Sequence, residues 1–290
     1  MTATAVQERS VAEQLPRTAH RGFDRPRFLW ALYGLVAAYL FVPIIVVIVF
    51  SFNASASLSS FDGLSLRWYR TFFNDATVTQ PLYASLEIAA ITMVVATILG
   101  TLLAMGLTRA RGRSIGAANI LMLAPLITPE IVTGVGLLLL FSHFNITLSL
   151  TTVTLGHITF SISFVTVIVR ARLANFNPEV EEAAMDLGAT PLSAIRLVTI
   201  PALMPAILAS GLLVFLLSFD DFVTSFFTSG SGTAPLPVRI YSLVRYSITP
   251  EINAVGTTMI AISLALGLLA VPFMLRRART GSATPPPASE

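Results

Sequence analysis

The chain has 290 residues, of which 54% are hydrophobic and only 11% charged, and its mean hydropathy is +0.79. Soluble domains carry about 25% charged residues, so this much apolar sequence spread along a whole chain predicts an integral membrane protein and excludes an ordinary water-soluble fold. The absence of cysteine excludes disulfides, thiolate chemistry and cysteine metal sites, while the net charge of +3 says less than where the charges fall.

Residues 1–28 are polar and mixed, with Arg9, Arg17, Arg21, Arg25 and Arg27, and read as a flexible N-terminal tail. Leu29 to Phe50 is apolar and long enough to cross a bilayer. The polar stretch before it is too long for a signal peptide and no small-x-small cleavage pattern ends it, so a retained first span (29–50) is expected. Residues 51 to about 81 lose the hydrophobic run. Their cluster Trp68, Tyr69, Phe72 and Phe73 predicts a loop with a short helix lying at the membrane interface.

The second span is expected over 82–107. It contains Glu87, a carboxylate that is costly in lipid unless it faces protein or water, and so either a contact between spans or part of a passage. Arg109, Arg111 and Arg113 follow as a basic turn. The third span, 115–141, is interrupted by Pro125 and Pro129, with Glu130 next and Gly134 and Gly136 one turn on. Each proline removes a backbone donor, so a helix here must kink or unwind. Broken membrane helices persist where protein or a cavity satisfies the freed groups. Glu130 is therefore a candidate for coordinating a cation or gating, or a tie from the kink to a neighbouring helix. The fourth span, 152–169, holds His157, most simply a hydrogen-bonded residue inside the bundle. His143 and His157 lack a ligand partner at metal-binding spacing.

Arg170 and Arg172 lead into the longest charged, amphipathic stretch, Asn177 to Pro201. Asn177 can cap a helix with Pro178 at its first position. Val180, Ala183, Ala184 and Leu187 share one face at i, i+3, i+4 and i+7, and Glu179, Glu182 and Asp186 fall on another. Gly188 can take the left-handed conformation that closes the helix. Thr190-Pro191 can start a second short helix, which Pro201 limits or hands over to the next span. Two short helices bent at a glycine make a docking element, not an active site.

The fifth span, 201–219, meets Asp220-Asp221. If helical, these carboxylates point about 100 degrees apart, so one can face a passage while the other pairs or caps. Thr224, Ser225, Thr228 and Ser229 continue a polar lining between phenylalanines, and a loop with Pro235, Pro237, Arg239, Tyr241 and Arg245 follows. The sixth span is expected over 251–275, with a basic, then Pro/Ser/Ala-rich tail at 276–290. With six spans and both termini in the cytoplasm, the arginines of the N-terminal tail, the 109–113 turn, the 170–200 loop and the C-terminal tail all lie inside. Only Arg67, Arg70, Arg239 and Arg245 lie outside, the asymmetry that the positive-inside rule requires.

Glu182-Ala183-Ala184, Gly188 and Val198-Thr199-Ile200-Pro201 stand at the spacing of the EAA signature, and on them the chain resembles the permease subunits of bacterial ABC importers. That family's pattern ends in Ile-x-Leu-Pro; Val-x-Ile-Pro here keeps the apolar character. Over about 30–275 the resemblance is nearest to the second permease of spermidine/putrescine importers, through Ser218-Phe219-Asp220-Asp221, Thr224-Ser225-Phe226 and Leu236-Pro237-Val238-Arg239-Ile240-Tyr241-Ser242, with Arg239 where the family often has lysine. It implies an all-α, polytopic permease of the ABC importer type I fold with six transmembrane helices, in the bacterial cytoplasmic (inner) membrane. It also implies that Glu179, Glu182, Ala183, Ala184, Asp186, Gly188, Ala189, Pro191 and Pro201 belong to the element that couples to the ATP-hydrolysing subunit. Candidates for the translocation path or gate are Glu87, Glu130, Asp220, Asp221, Thr224 and Tyr241.

No GxxxxGK[ST] phosphate loop occurs, so the chain is not expected to be an enzyme. It is expected to carry no cofactor or metal, with ATP and Mg bound by partner subunits. The implied partners are a second homologous permease, two copies of a cytoplasmic ATP-binding subunit, an extracellular or periplasmic polyamine-binding protein (free or a lipoprotein) and the bilayer, without nucleic acid. Glu130, Asp220 and Asp221 favour a cationic amine over an anion if they face water, although Arg239 and Arg245 work against a simple acidic funnel. Importers of ferric ion, thiamine or an amino-acid derivative share the architecture and are the alternative. A channel or stand-alone secondary transporter leaves the EAA stretch unexplained, and a purely structural subunit leaves the broken span unexplained.

Overall fold

The computed structural model describes residues 27–57, 60–110, 112, 114–232, 234–246 and 250–280. The two tails, apart from the start of the first helix and the end of the last, and also Arg111 and Arg113, lie outside the described residues. The elements are helices: α1 (Arg27–Phe50), α2 (Arg67–Asn74), α3 (Ala76–Arg109), α4 (Ser114–Ile127), α5 (Glu130–His143), α6 (Leu150–Leu173) and α7 (Glu179–Asp186). They continue as α8 (Pro191–Ala194), a π-helical turn (Ile195–Thr199), α9 (Ile200–Phe219), α10 (Val223–Thr228), α11 (Leu236–Tyr246) and α12 (Glu251–Thr280). Among the described residues, five helices are long and apolar enough to cross a membrane, six if the bent pair α4–α5 is one span. The protein is an all-α, polytopic membrane protein.

Two compact units divide the chain, residues 1–46 and 47–290. The first holds most of α1, an apolar helix with Pro43 inside it. The second holds all the remaining elements.

Several helices run beyond the expected spans, for local reasons. α3 begins at Ala76 rather than near 82 because Asp75 caps it, its Oδ1 accepting from the Thr77 amide at 2.8 Å. Pro81 falls in its second turn, where a missing N–H leaves a single carbonyl without its helical partner. The break in the third span is sharper than a kink: α4 ends at Ile127, α5 starts at Glu130, and the two are bent by 108°. Pro201 does not end the helix that Thr190 starts. Residues 191–219 run on through the π-helical turn, whose extra residue per turn lies just before a proline that has no N–H to donate.

The helix at Trp68 forms as expected, and it also packs on the protein. Trp68 and Phe72 are buried in protein, and the Trp68 Nε1 donates to the Asn53 carbonyl at 2.8 Å. Asn53 itself organises the preceding loop, accepting from the Asp62 amide at 2.9 Å and donating to the Ser60 carbonyl at 2.7 Å.

Two apolar clusters hold the second unit. One joins Phe72, Val78, Leu82, Ala89, Phe219, Leu236 and Val255 from α2, α3, α9, α11 and α12. The other joins Ala96, Ala104 and Met105 of α3 to Val165 and Val169 of α6 and to Leu203 and Val214 of α9. Gly100 lets α3 and α6 approach closely: a Cβ there would stand 2.6 Å from that of Val165. The Thr166 hydroxyl spans the same gap to the Gly100 carbonyl at 3.2 Å. Helices this close move as one packed body.

Candidate functional site

The stretch from Asn177 to Pro201 is built as a self-capped projection. The Asn177 Oδ1 accepts from the Glu179 amide at 3.0 Å, with Pro178 already helical at the first position. At the other end, the Gly188 amide donates to the Met185 carbonyl and the Ala189 amide to the Ala184 carbonyl, the paired bonds of a Schellman cap. Gly188 has φ +93°, where a side chain is strained. Thr190 then caps α8 through the Ser193 amide.

No side chain of α7 is fully buried. Val180 is 50% exposed and Leu187 91%, and Leu192 and Leu197 beyond the bend are also exposed. The apolar face predicted for this helix therefore points away from the bundle, together with Glu179, Glu182, Ala183 and Asp186; Ala184 and Ala189 are half-buried. One carboxylate does turn inward. Glu181 receives both of its Oε contacts from the Arg109 guanidinium, at 2.9 and 2.7 Å, and its Oε2 also accepts from the buried Thr199 hydroxyl at 2.6 Å. Sequence reasoning missed Glu181, since nothing in the run Glu179-Val180-Glu181-Glu182 distinguishes the acid that faces inward.

The second site lies in the bundle, where α5, α6, α9 and α10 meet. His157 is 1% exposed and is bonded at both ring nitrogens, by Nδ1 to the Ser218 hydroxyl at 2.7 Å and by Nε2 to the Ser225 hydroxyl at 3.1 Å. Its Nε2 also lies 3.0 Å from Asp221 Oδ2, which accepts from the Ser225 amide at 2.9 Å. This bears out the expectation of a hydrogen-bonded histidine inside the bundle, and adds a partner that the sequence did not point to. The two adjacent aspartates divide as their spacing suggests: Asp221 is buried, and Asp220, at the C-terminal cap of α9, is exposed.

Glu130, first residue of α5, is near enough to Asp221 and Asp220 for both to act on it electrostatically. Glu130 also lines a cavity of about 290 Å³ with Thr128, Thr133, Phe160, Phe164 and Thr224, set in the break of the third span. Thr224 is fully buried with an unpartnered hydroxyl oxygen. Thus Glu130 converges with Asp221 and Thr224, although it comes from a distant part of the chain. Glu87 does not join them: it sits on an exposed face of α3. Tyr241 lies in a separate ring cluster, 5.0 Å from Phe222 and 5.9 Å from Phe226 between centroids. Phe160 and Phe164 are cavity residues that sequence reasoning passed over; their i, i+4 spacing from a helix carrying His157 was the only available signal. Among the described residues no three His, Asp or Glu side chains converge as a metal site would require.

The family model described as "Binding-protein-dependent transport system inner membrane component" matches residues 96–278. The spermidine/putrescine transport system permease protein PotC of Haemophilus influenzae is 40% identical over 249 residues, covering 86% of this chain and 95% of that protein. The putrescine transport system permease protein PotI of Escherichia coli is 38% identical over 245 residues, covering 82% and 87%. Among solved structures, a bacterial ABC transporter involved in alginate import superposes with a TM-score of 0.70 at 15% identity, covering 87% of this chain and 96% of that one. An amino acid ABC transporter gives 0.58 at 18% identity, covering 73% and 100%. These two likenesses establish the fold alone. The permease family is distinct from the ATP-hydrolysing subunits of such importers, and the chain belongs to it: it is a binding-protein-dependent transport system inner-membrane component, the permease subunit of an ABC-type importer.

Proposed function

We propose that this permease imports polyamines, and that the cavity in the break of the third span is part of their path. The observation that carries this is the composition of that cavity: the Glu130 carboxylate, the rings of Phe160 and Phe164, and no basic side chain among its lining residues. A carboxylate in such a setting is stabilised by a nearby cation, and aromatic faces attract ammonium groups. The similarity to relatives named for spermidine and putrescine supports the same substrate class.

The chain acts with a second permease, two copies of a cytoplasmic ATP-binding subunit that hold ATP and Mg, and an external amine-binding protein. Both termini and α7 lie in the cytoplasm, the arrangement that places most arginines inside. The exposed Val180 of α7 and Leu187 at its C-terminal cap seat in the ATP-binding subunit, and the exposed carboxylate of Glu87 faces the second permease rather than lipid. Closure of the ATP-bound dimer moves α7 and opens the path outward; hydrolysis resets it inward.

The test is ATP hydrolysis by the whole complex in lipid, with the binding protein empty or loaded with spermidine, putrescine, ferric ion or thiamine. Stimulation by an amine-loaded binding protein alone is expected. Stimulation by ferric ion or thiamine instead would assign another solute to the same architecture and return the carboxylates to structural roles.

A further inference from the structure

α7 has no fully buried side chain, so packing alone gives it a poor grip on the bundle. What does reach the bundle is Glu181, whose side chain is 17% exposed against 41% for Arg109. Its carboxylate holds three hydrogen bonds. Two come from Arg109, the last residue of α3, and one from Thr199, the last residue of the π-helical turn that leads into α9. Charge-assisted bonds of this kind fix orientation as well as adding attraction, and the fully buried Thr199 cannot swing away without the backbone that carries it.

The two anchors are well placed. One turn above Arg109, Met105 and Ala104 pack with Val169 of α6 and Leu203 of α9. Gly211 of α9 lies against Thr97 of α3, where an added Cβ would come within 3.0 Å of the threonine oxygen. A pull on either anchor therefore enters a close-packed three-helix body. The π-helical turn beside Thr199 is a wider, less regular turn of the sort found where helices change register.

We propose that Glu181 is a positioning residue, the latch through which displacement of α7 is delivered to α3 and α9 by way of Arg109 and Thr199. The latch rests on α7 being the docking element for the ATP-binding subunit. It assigns to Glu181 a role different from that of the outward-facing Glu182: Glu182 meets the partner, and Glu181 meets the permease's own spans.

The experiment uses the full complex in lipid. Because the chain has no cysteine, Thr133→Cys places a single thiol in this chain's cavity. Its rate of modification by a membrane-impermeant maleimide, with and without ATP plus vanadate, reads alternating access whatever the substrate. In the reporter parent, ATP-vanadate is expected to change that rate at least fivefold. In Glu181→Gln and Arg109→Gln the change should shrink below twofold, with the ATP-binding subunit still co-purifying at parental stoichiometry. The exchange Arg109→Glu with Glu181→Arg should recover at least half of it.

A full ATP response in both single variants would overturn the latch, and so would an exchange no better than either single variant in an intact complex. Leu187→Asp supplies the separate control: it should release the ATP-binding subunit. If that subunit stays bound and responsive in Leu187→Asp, the docking assignment of α7 fails and the latch with it. If Leu187→Asp releases the subunit while Glu181→Gln responds fully, the latch alone fails.

Discussion

The stretch from Asn177 to Pro201 and the cluster around His157 are both polar constructions in an apolar protein, but they are assembled in opposite ways. The first is local: its caps, glycine bend and helix starts all come from residues a few positions apart. The second is tertiary: His157 meets Ser218 across 61 positions and Ser225 across 68, and Glu130 arrives from a broken helix further back still. Local construction leaves a surface free to meet another protein. Tertiary construction hides polar groups that would otherwise face lipid, at a cost that only mutual pairing offsets. The two regions should therefore fail differently, one by losing coupling and the other by losing structure or substrate.

The largest effect expected is structural. His157→Ala leaves Asp221 buried without its partner, which typically costs roughly 3–5 kcal/mol. The purified permease should show a large drop in melting temperature and poor recovery from membranes, whereas Asp220→Ala, on the exposed neighbour, should melt within a few degrees of the parent. Equal melting of the two variants would erase the distinction between a buried and an open aspartate.

Next comes Gly188→Asp. The left-handed backbone at this position costs about 1–2 kcal/mol for a residue with a side chain, on a helix with no fully buried side chain. Uptake of labelled spermidine by cells should fall at least tenfold with membrane insertion unchanged. Normal uptake with normal complex assembly would sink the assignment of the bend to coupling.

Glu130→Gln sharpens the comparison from the other side. It keeps the shape of the cavity rim and removes one charge, so transport of a cationic substrate should weaken several-fold while basal ATP hydrolysis persists. Unchanged uptake across a range of spermidine concentrations would make Glu130 a structural tie across the break. The smallest effect is that of Asn177→Ala, which removes the cap of α7 at a cost of about 1 kcal/mol. A modest fall in uptake, with no change in melting, is the expected result; a drop in melting would mean that α7 carries more of the fold than its exposure indicates.

The membrane class, the approximate places of the long helices, the break near Pro129 and the capped stretch from Asn177 were all legible in the chain itself. Each depends on hydrophobic runs or on residues a few positions apart, and prolines, glycines and cap residues act where they stand. The helix ends were less legible. Asp75 moved one start back to Ala76, and the π-helical turn carried α8 through Pro201 into α9, because a terminus depends on which carbonyls find partners. The burial of Trp68 was not legible, since its indole N–H finds the Asn53 carbonyl fifteen residues back.

Composition and local pattern alone mark this as a multi-span membrane protein with one charged, amphipathic loop at EAA spacing. They also mark Glu130, Asp220, Asp221 and Thr224 as polar residues that an apolar chain must account for. How these residues are used is set by the way the helices pack. It paired Asp221 with His157 and left Asp220 open; it gathered Glu130 and Thr224 around one cavity while leaving Glu87 and Tyr241 elsewhere. It also turned Glu181 inward, out of a run of look-alike acids, onto Arg109 and Thr199. The physical reason is range. Hydropathy and capping act over one or two helical turns and are written along the chain, whereas a side chain's partner in the bundle is set by helix rotation and close approach, as at Gly100, which no local pattern encodes.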